Sequence, residues 1–449
     1  MASMRRFGIF ACLAAVAAVL ALSGEAYSGV IKAGLIERIR YEYYDNTTDF
    51  NANKNDKNGY FRIRTSAWGQ LSYQSKATLY LKLTNEFRKY VDDPKDRDFT
   101  WDEIFFDNLY LNLMIPGKWG SLTVGRQNLM YGEGFVLMDG TPWDGSRSIY
   151  YDAVKLSLTR GKTAVDFLAI DNTRIEDWLP VVRGSKLSDG LLKGQPKDQP
   201  LNDGAEKAFG LYLTSTALPK SKVEAYYIRK TEKPEPWYPK AEIADELNLN
   251  TAGIRLNHSL TGTLSLTAEG AYQNGTQGAI NNKAFGGYLY GTYQLDAASK
   301  SAVSAGAFCL SGDDPATADN EGWNPIFSRW PKWSELYIYT YMSEINRGAA
   351  RVAYWTNMLA PYCSYTTQPT PKLTLIANLY LLRALEARTL ANGKESGKSR
   401  GTEVQAWIKY AFSKNVSGHL LFDWLIPGDF YPKPRTSGPF MRGEVLITI

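Results

Sequence analysis

The chain has 449 residues, with 51 Lys and Arg against 46 Asp and Glu. That mild positive balance gives no reason to expect a nucleic-acid partner, and three cysteines are too few for a disulfide framework. The 29 tyrosines and 12 tryptophans against two histidines are rings with a polar edge, a type favoured at a bilayer interface.

The first element is "MASMRRFGIFACLAAVAAVLALSGEAYSG": two arginines, an apolar run from Phe7 to Leu22, then small residues. This is the build of a secretory signal peptide, residues 1–28, with cleavage expected after Ala26 or Ser28. The run is shorter than the roughly 20 residues a helical span needs, and no later stretch reaches that length. Cys12 has no lipobox before it, so lipidation is not expected. Residues 29–449 contain no linker or composition shift and read as a single domain.

From there the hydrophobic period is two. "YFRIRTSAWGQLSY" sets Phe61, Ile63, Ala67 and Leu71 on one face and Arg62, Arg64, Ser66 and Gln70 on the other. "ATLYLKLTNEFRKY", "NLYLNLMI", "AVKLSLT", "TAGIRLN", "TLSLTAEG", "EVQAWIKYAF" and "EVLITI" alternate in the same way. Eighteen such segments start near residues 30, 60, 77, 103, 121, 153, 163, 207, 221, 249, 263, 284, 300, 351, 372, 402, 416 and 440. Short connections ("QSK", "PGKWG", "RGK", "LPKS", "LTG", "DAASK", "QPTP", "KN") alternate with long ones, from "NGTQGAINN" to 313–350. Ten-residue amphipathic strands joined by alternating short turns and long loops are the pattern of a transmembrane antiparallel up-and-down β-barrel. Closure then gives every backbone N–H and C=O a partner and leaves no edge exposed to lipid. The chain ends "VLITI", without the terminal aromatic that bacterial barrels usually carry.

If the apolar face meets lipid, the other face lines a lumen. Parity assigns it Lys32, Arg38, Arg40, Arg62, Arg64, Lys82, Arg88, Lys155, Arg255, Lys409 and Arg442, with Glu42, Glu86, Asp166, Glu224, Glu269, Glu403, Asp423 and Glu444. Seven of the eleven bases and two of the eight acids fall on the first three strands, and Arg442 joins them when the last strand closes on the first. A basic wall in a low-dielectric channel concentrates anions, and the planar guanidinium fork suits carboxylates. The alternative is that these bases pair with lumen acids and stiffen the barrel.

The glycine-rich stretch "VGRQNLMYGEGFVLMDGTPWDGSRS" lacks the Gly-Lys-Ser/Thr end of a phosphate loop and runs into Thr-Pro-Trp, which cannot continue as a helix. It reads as the fifth strand followed by the third long loop, which either folds inward and narrows the pore or caps the rim. Arg126 would face lipid by strict alternation with Leu122 and Val124. Either a bulge turns it toward the pore, the preferred reading, or it sits high enough on the wall to reach water.

"VGRQNLMYGEG", "YYDAVKLSL", "SGDDP" and "YWTNMLAP" together resemble the alginate export family across essentially the whole mature chain. The family pattern falls on Gly125, Arg126, Gln127, Tyr131, Gly132, Trp143, Asp152 and Ala153. The resemblance implies an eighteen-stranded outer-membrane barrel with an arginine-rich pore for an anionic polyuronate. The sequence departs from the family at Phe135, where relatives often carry arginine, and at the last short turn, "SKN" (Ser413–Asn415), where the alginate exporters have a long pore-occluding segment.

The expected function is an outer-membrane diffusion channel, anion-selective, passing a uronate-type saccharide such as alginate. A general or small-anion porin, and a loop-based receptor or structural barrel without an open pore, are the alternatives. The expected pore residues are Arg38, Arg40, Arg62, Arg64, Lys82, Arg88, Arg126, Lys155, Arg255 and Arg442. Outer-membrane lipid, an anionic saccharide or small anion, and the barrel-assembly machinery are the expected partners, with no cofactor, metal or catalytic residue. His258 and His419 read as structural, and Cys309 and Cys363 as too far apart to bridge.

Overall fold

The computed structural model describes residues 29–449 except 52, 54–55, 94–98, 139–149, 174–177, 181–204, 234–244, 329–332, 338–339, 341–354 and 391, and of residues 99–103 the backbone only. The predicted signal peptide lies outside the described residues.

The strands are β1 (Gly29–Tyr44), β2 (Asn58–Tyr73), β3 (Ala77–Asp92), β4 (Phe99–Met114), β5 (Gly120–Gln127) and β6 (Tyr151–Arg160). Then come β7 (Thr163–Asn172), β8 (Glu206–Ser215), β9 (Ser221–Glu232), β10 (Leu247–Ser259), β11 (Leu264–Gln277) and β12 (Ile280–Asp296). The last six are β13 (Ser301–Leu310), β14 (Met358–Thr370), β15 (Leu373–Arg383), β16 (Ser399–Ala411), β17 (Val416–Pro427) and β18 (Gly438–Thr448). All eighteen join in one antiparallel sheet, and β18 pairs with β1 to close it. Leu35 and Ile449 exchange both backbone hydrogen bonds across that seam, at 2.9 Å each.

The period of two has the predicted consequence. Ile31, Leu35, Ile39, Phe209, Ile254, Leu289 and Leu420 project outward, exposed on the wall, while Arg38, Arg40, Arg62 and Arg64 on intervening positions are buried within. An open sheet with these faces would leave edge amides unpaired in hydrocarbon; closure removes that cost.

Two connections differ from the sequence reading. The expected nine-residue loop after β11 is a two-residue turn at Gly278 and Ala279, because the ladder continues to Gln277↔Ile280. β14 starts at Met358 rather than near 351. Trp355 is buried inside the preceding loop, and Asn357 donates its N–H to Ser311 O from a left-handed φ of 50°. Residues 351–354 of that expected strand lie outside the described residues.

The barrel is not hollow. The described residues of two long-loop connections, L3 (128–150) and L7 (311–357), fold into it and pack on each other. Phe135 stacks on Trp323 at 5.1 Å, Phe327 donates its N–H to Val136 O, and Leu137 bridges to Phe327. Gly132 and Gly134 take left-handed φ of 57° and 79°, the tight turning that the glycine-rich stretch permits. The apolar cluster these loops form with Tyr212, Tyr226, Tyr288, Phe308 and Leu425 sits inside the wall, and of the two sequence alternatives L3 takes the inward one.

Candidate conduction site in the loop-filled lumen

On the wall made by β18, β1, β2 and β3, basic side chains stand in adjacent register: Arg442 opposite Glu42, Arg40 opposite Arg62, Arg38 opposite Arg64, and Arg62 opposite Arg88. Such a row of guanidiniums a strand spacing apart holds only if acids are threaded through it. Glu42 accepts from Arg62 at 3.0 Å and Arg442 at 3.0 Å and lies 3.3 Å from Arg40. Glu86 accepts from Arg38 at 2.8 Å and Arg62 at 3.0 Å and lies 3.5 Å from Arg64. Glu444 is 2.6 Å from Arg40. Asp107 lies 2.6 Å from Lys82 and 3.2 Å from Arg64. Arg88 stacks over Tyr60 at 5.0 Å.

The one-sided wall expected from parity is therefore present, but its charge is largely compensated. Arg38, Arg40, Arg62, Arg64, Lys82 and Arg442 meet Glu42, Glu86, Asp107, Glu335 and Glu444. Guanidiniums removed from water without counterions would each cost several kcal/mol, and the shared carboxylates offset that.

L7 completes the lattice. Its Glu335 sets both carboxylate oxygens on Arg442, at 2.7 and 2.6 Å, in the bidentate fork geometry. The neighbouring Leu336 N–H donates to Asp423 at 3.3 Å, and Thr340 donates to Thr47 O at 2.7 Å. Toward the far wall, Lys230 on β9 donates to Ile326 O at 3.1 Å while paired with Glu206 at 2.5 Å. Described residues of L7 thus contact both β9 and β18.

Arg255 faces the lattice from the opposite wall, held by Glu224 at 2.5 Å, Tyr288 at 3.1 Å and Glu133 of L3 at 3.0 Å. Glu133 also accepts from Tyr290 at 2.6 Å, and Tyr131 of L3 donates to Asp166 at 2.6 Å. Lys155 is half-buried on the lumen face, opposite Thr123. On β16 and β17, Glu403 and Asp423 are fully buried, and Asp423 accepts the Leu336 N–H of L7.

Arg126 is a correction. Neither ladder of β5 carries a register shift, so there is no bulge to turn it inward. It stands opposite Asp152 on the outward face, in the position after Val124↔Val154. Asp152 takes its Nε and Nη2 at 2.9 and 2.8 Å, Phe106 O takes Nη1 at 3.0 Å, and Tyr150 lies beneath it at 3.7 Å. These contacts bury the guanidinium at the long-loop end of the wall, outside the lumen.

Three partners escaped parity reasoning. Asp107 points inward because β4 carries a bulge between Phe106 and Asn108, opposite Leu83 and Lys82, which sends two consecutive residues to one face. Glu133 and Glu335 come from loops, where alternation carries no information. Trp143, matched to the family pattern, lies outside the described residues.

Both histidines have partners. Ser221 Oγ lies 2.8 Å from His258 Nδ1 and donates to Pro219 O at 3.0 Å, which ties down a short turn. His419 Nδ1 is 3.5 Å from Glu444 beside Trp407. Cys309 and Cys363 are free: β13 and β14 pair Cys309 with Leu359 and Ala305 with Cys363, an offset of four residues or about 13 Å.

A closed eighteen-stranded barrel with a lipid-facing wall and a charged lumen defines an outer-membrane β-barrel channel. The chain belongs to the alginate export family, whose sequence profile, described as alginate export, matches residues 30–438. No curated protein sequence matches it. Among solved structures it is similar to Pseudomonas aeruginosa OccK5 (OpdH), with TM-score 0.56 and 15% identity over 93% of this chain and 98% of that one. Pseudomonas aeruginosa OpdQ gives 0.58 at 12% identity, and Acinetobacter baumannii OccAB4 gives 0.57 at 13%, each over 93% of this chain and 98% of theirs. These similarities establish the fold. The last short turn spans 412–415, one residue more than the Ser413–Asn415 read from the sequence.

Proposed function

We propose that this barrel passes carboxylate-bearing solutes across the bacterial outer membrane, favouring a uronate-type saccharide such as alginate. The short turns face the periplasm, which the chain reaches through its cleaved leader. Arg38, Arg40, Arg62, Arg64, Lys82 and Arg442 carry the selectivity, with Arg88, Lys155 and Arg255 along the route.

The observation behind this reading is the seat of Glu335. A carboxylate arriving from the lumen side, on a loop and not on the wall, is taken up bidentately by Arg442. A solute carboxylate competes with Glu335 for the fork, then steps along Arg40 and Arg62 to Arg38 and Arg64. Repeated weak sites of one chemistry let a polyanion move on without being trapped. The wall attracts anions modestly and does its work by exchanging one carboxylate for another. Matching of planar forks therefore matters more here than net field.

Liposomes carrying the refolded protein test this by uptake of oligouronates and of neutral oligosaccharides of equal length. Preferential oligouronate uptake, reduced in Arg442→Met, is the expected result. Equal uptake of both sugars points to a general porin. Absence of both uptake and ion conductance points to a loop-based receptor or structural barrel.

A further inference from the structure

The wall is lowest at β5 to β8, where strands are 8 to 10 residues long against 16 for β1 to β4. Two rows of outward side chains cross these four strands in register. The lower row is Val124, Val154, Ala169 and Phe209; the row above it is Arg126, Asp152, Asp171 and Lys207. An apolar row below a charged row is what the boundary between hydrocarbon and headgroups imposes on a barrel wall.

Ala169, small between Val154 and Phe209, leaves a recess there, and Trp178 and Leu179 from the loop after β7 roof it. The result is a cavity of about 350 Å³ with a mainly apolar lining. Phe209 and Val154 at its mouth are exposed, so the cavity opens outward to the bilayer.

Its polar features sit on the charged side. Trp178 Nε1 is buried and has no acceptor among the described residues. An indole N–H removed from water without an acceptor is costly, and a lipid oxygen reaching the lining beside Trp178 would relieve it. Lys207 is half-exposed and spends one contact on Asp171, at 2.9 Å, which leaves ammonium donors facing the headgroup zone. Arg126 is already engaged by Asp152 and contributes to the rim.

A hydrocarbon tail alone fits the cavity and leaves the indole unpaired. A free anion fits the rim and leaves the apolar recess empty. One molecule that does both is a lipid, with its chain in the recess and its oxygens at the rim. We propose that this recess holds one acyl chain of an outer-leaflet lipid, whose ester or phosphate oxygen accepts from Trp178 and whose anionic headgroup lies at Lys207. Lipid held there fastens the shortest part of the wall to the bilayer at a fixed depth.

Native mass spectrometry of the full barrel, delipidated in detergent and titrated with dipalmitoyl phosphatidylglycerol, reads the site directly. The wild type should saturate a first adduct that Ala169→Phe, which fills the recess, weakens at least tenfold. Trp178→Phe keeps the recess and loses the donor, and should weaken the adduct about fivefold. Ala169→Phe should leave bilayer conductance unchanged, which shows that the barrel has formed. A first adduct of equal strength in wild type and Ala169→Phe overturns the site. Binding that Trp178→Phe does not alter overturns the headgroup assignment, and this second variant retains its force if Ala169→Phe does not fold.

Discussion

Glu42→Gln is the most informative single change in the lattice. Glu42 is fully buried on β1 and lies within 3.3 Å of three guanidiniums, those of Arg40, Arg62 and Arg442. Each contact near 3 Å amounts to about 5.5 kcal/mol of gross attraction at an effective dielectric near 20, most of which the cost of desolvating the ions consumes. Glutamine keeps the shape and one acceptor but removes the charge, so three buried cations lose their common counterion. The expected loss is about 3–5 kcal/mol, the range seen when one partner of a buried ion pair is removed. Urea unfolding from lipid vesicles, followed by tryptophan fluorescence, measures it. The double variant Glu42→Gln/Arg62→Met should recover much of the loss, since it removes a cation along with the anion. A loss below about 1 kcal/mol would refute the reasoning, because the lattice would then behave like solvent-exposed pairs.

Three further outcomes follow from other parts of the barrel. Gly34→Val should impair closure: a Cβ at Gly34 would meet Ile449 O at 2.4 Å and the Trp68 ring at 2.7 Å, and loss of heat-modifiable gel mobility would report it. Deleting Asp107 should remove the β4 bulge and restore plain alternation, with Phe106 opposite Leu83 and Asn108 opposite Lys82, at the cost of the carboxylate that Lys82 and Arg64 share; bilayer recordings should show altered conductance and selectivity, and wild-type recordings would contradict the assignment. Asp319 of L7 has its carboxyl held below the usual range, first by hydrogen bonds from Lys283 and Asn281. A depressed folded value means that its contribution is present above the ordinary carboxylate pKa of about 3.9 and is lost as pH falls through the lower value. Hydrogen exchange at Asn320, whose N–H donates to Asn281 O, should therefore stay slow at pH 5 and quicken only in stronger acid.

Strand number, order and facing were legible because a barrel wall repeats one instruction: apolar out, polar in, every second residue. Arg38, Arg40, Arg62, Arg64, Lys82 and Arg442 could be brought together on paper because closure of the last strand on the first follows from the same rule. What alternation cannot carry was not legible. Asp107 reaches the lumen through a bulge, which parity skips. Glu133 and Glu335 reach it from loops that have no period, so the compensation of the arginine wall was legible only in Glu42, Glu86 and Glu444, which parity places in the lumen. Arg126 shows the opposite error. Parity pointed outward correctly, and the dislike of a lipid-facing charge suggested a bulge, whereas the structure shields it with Asp152 and Tyr150 at the rim. The turn at Gly278 and Ala279 was read as a loop because its flanks, Asn274 to Gln277 and Asn281, are polar, although they continue the ladder.

The measurement that bears most directly on the carboxylate channel is the reversal potential of the refolded barrel in a planar bilayer under a KCl gradient, for the wild type and Glu335→Gln, with and without added oligouronate. Modest anion selectivity in the wild type is expected, with stronger selectivity and tighter oligouronate block in Glu335→Gln, where the Arg442 fork has lost its internal carboxylate. Cation selectivity, or block by oligouronate that is the same in both proteins, would contradict the assignment of the lattice as the solute's path.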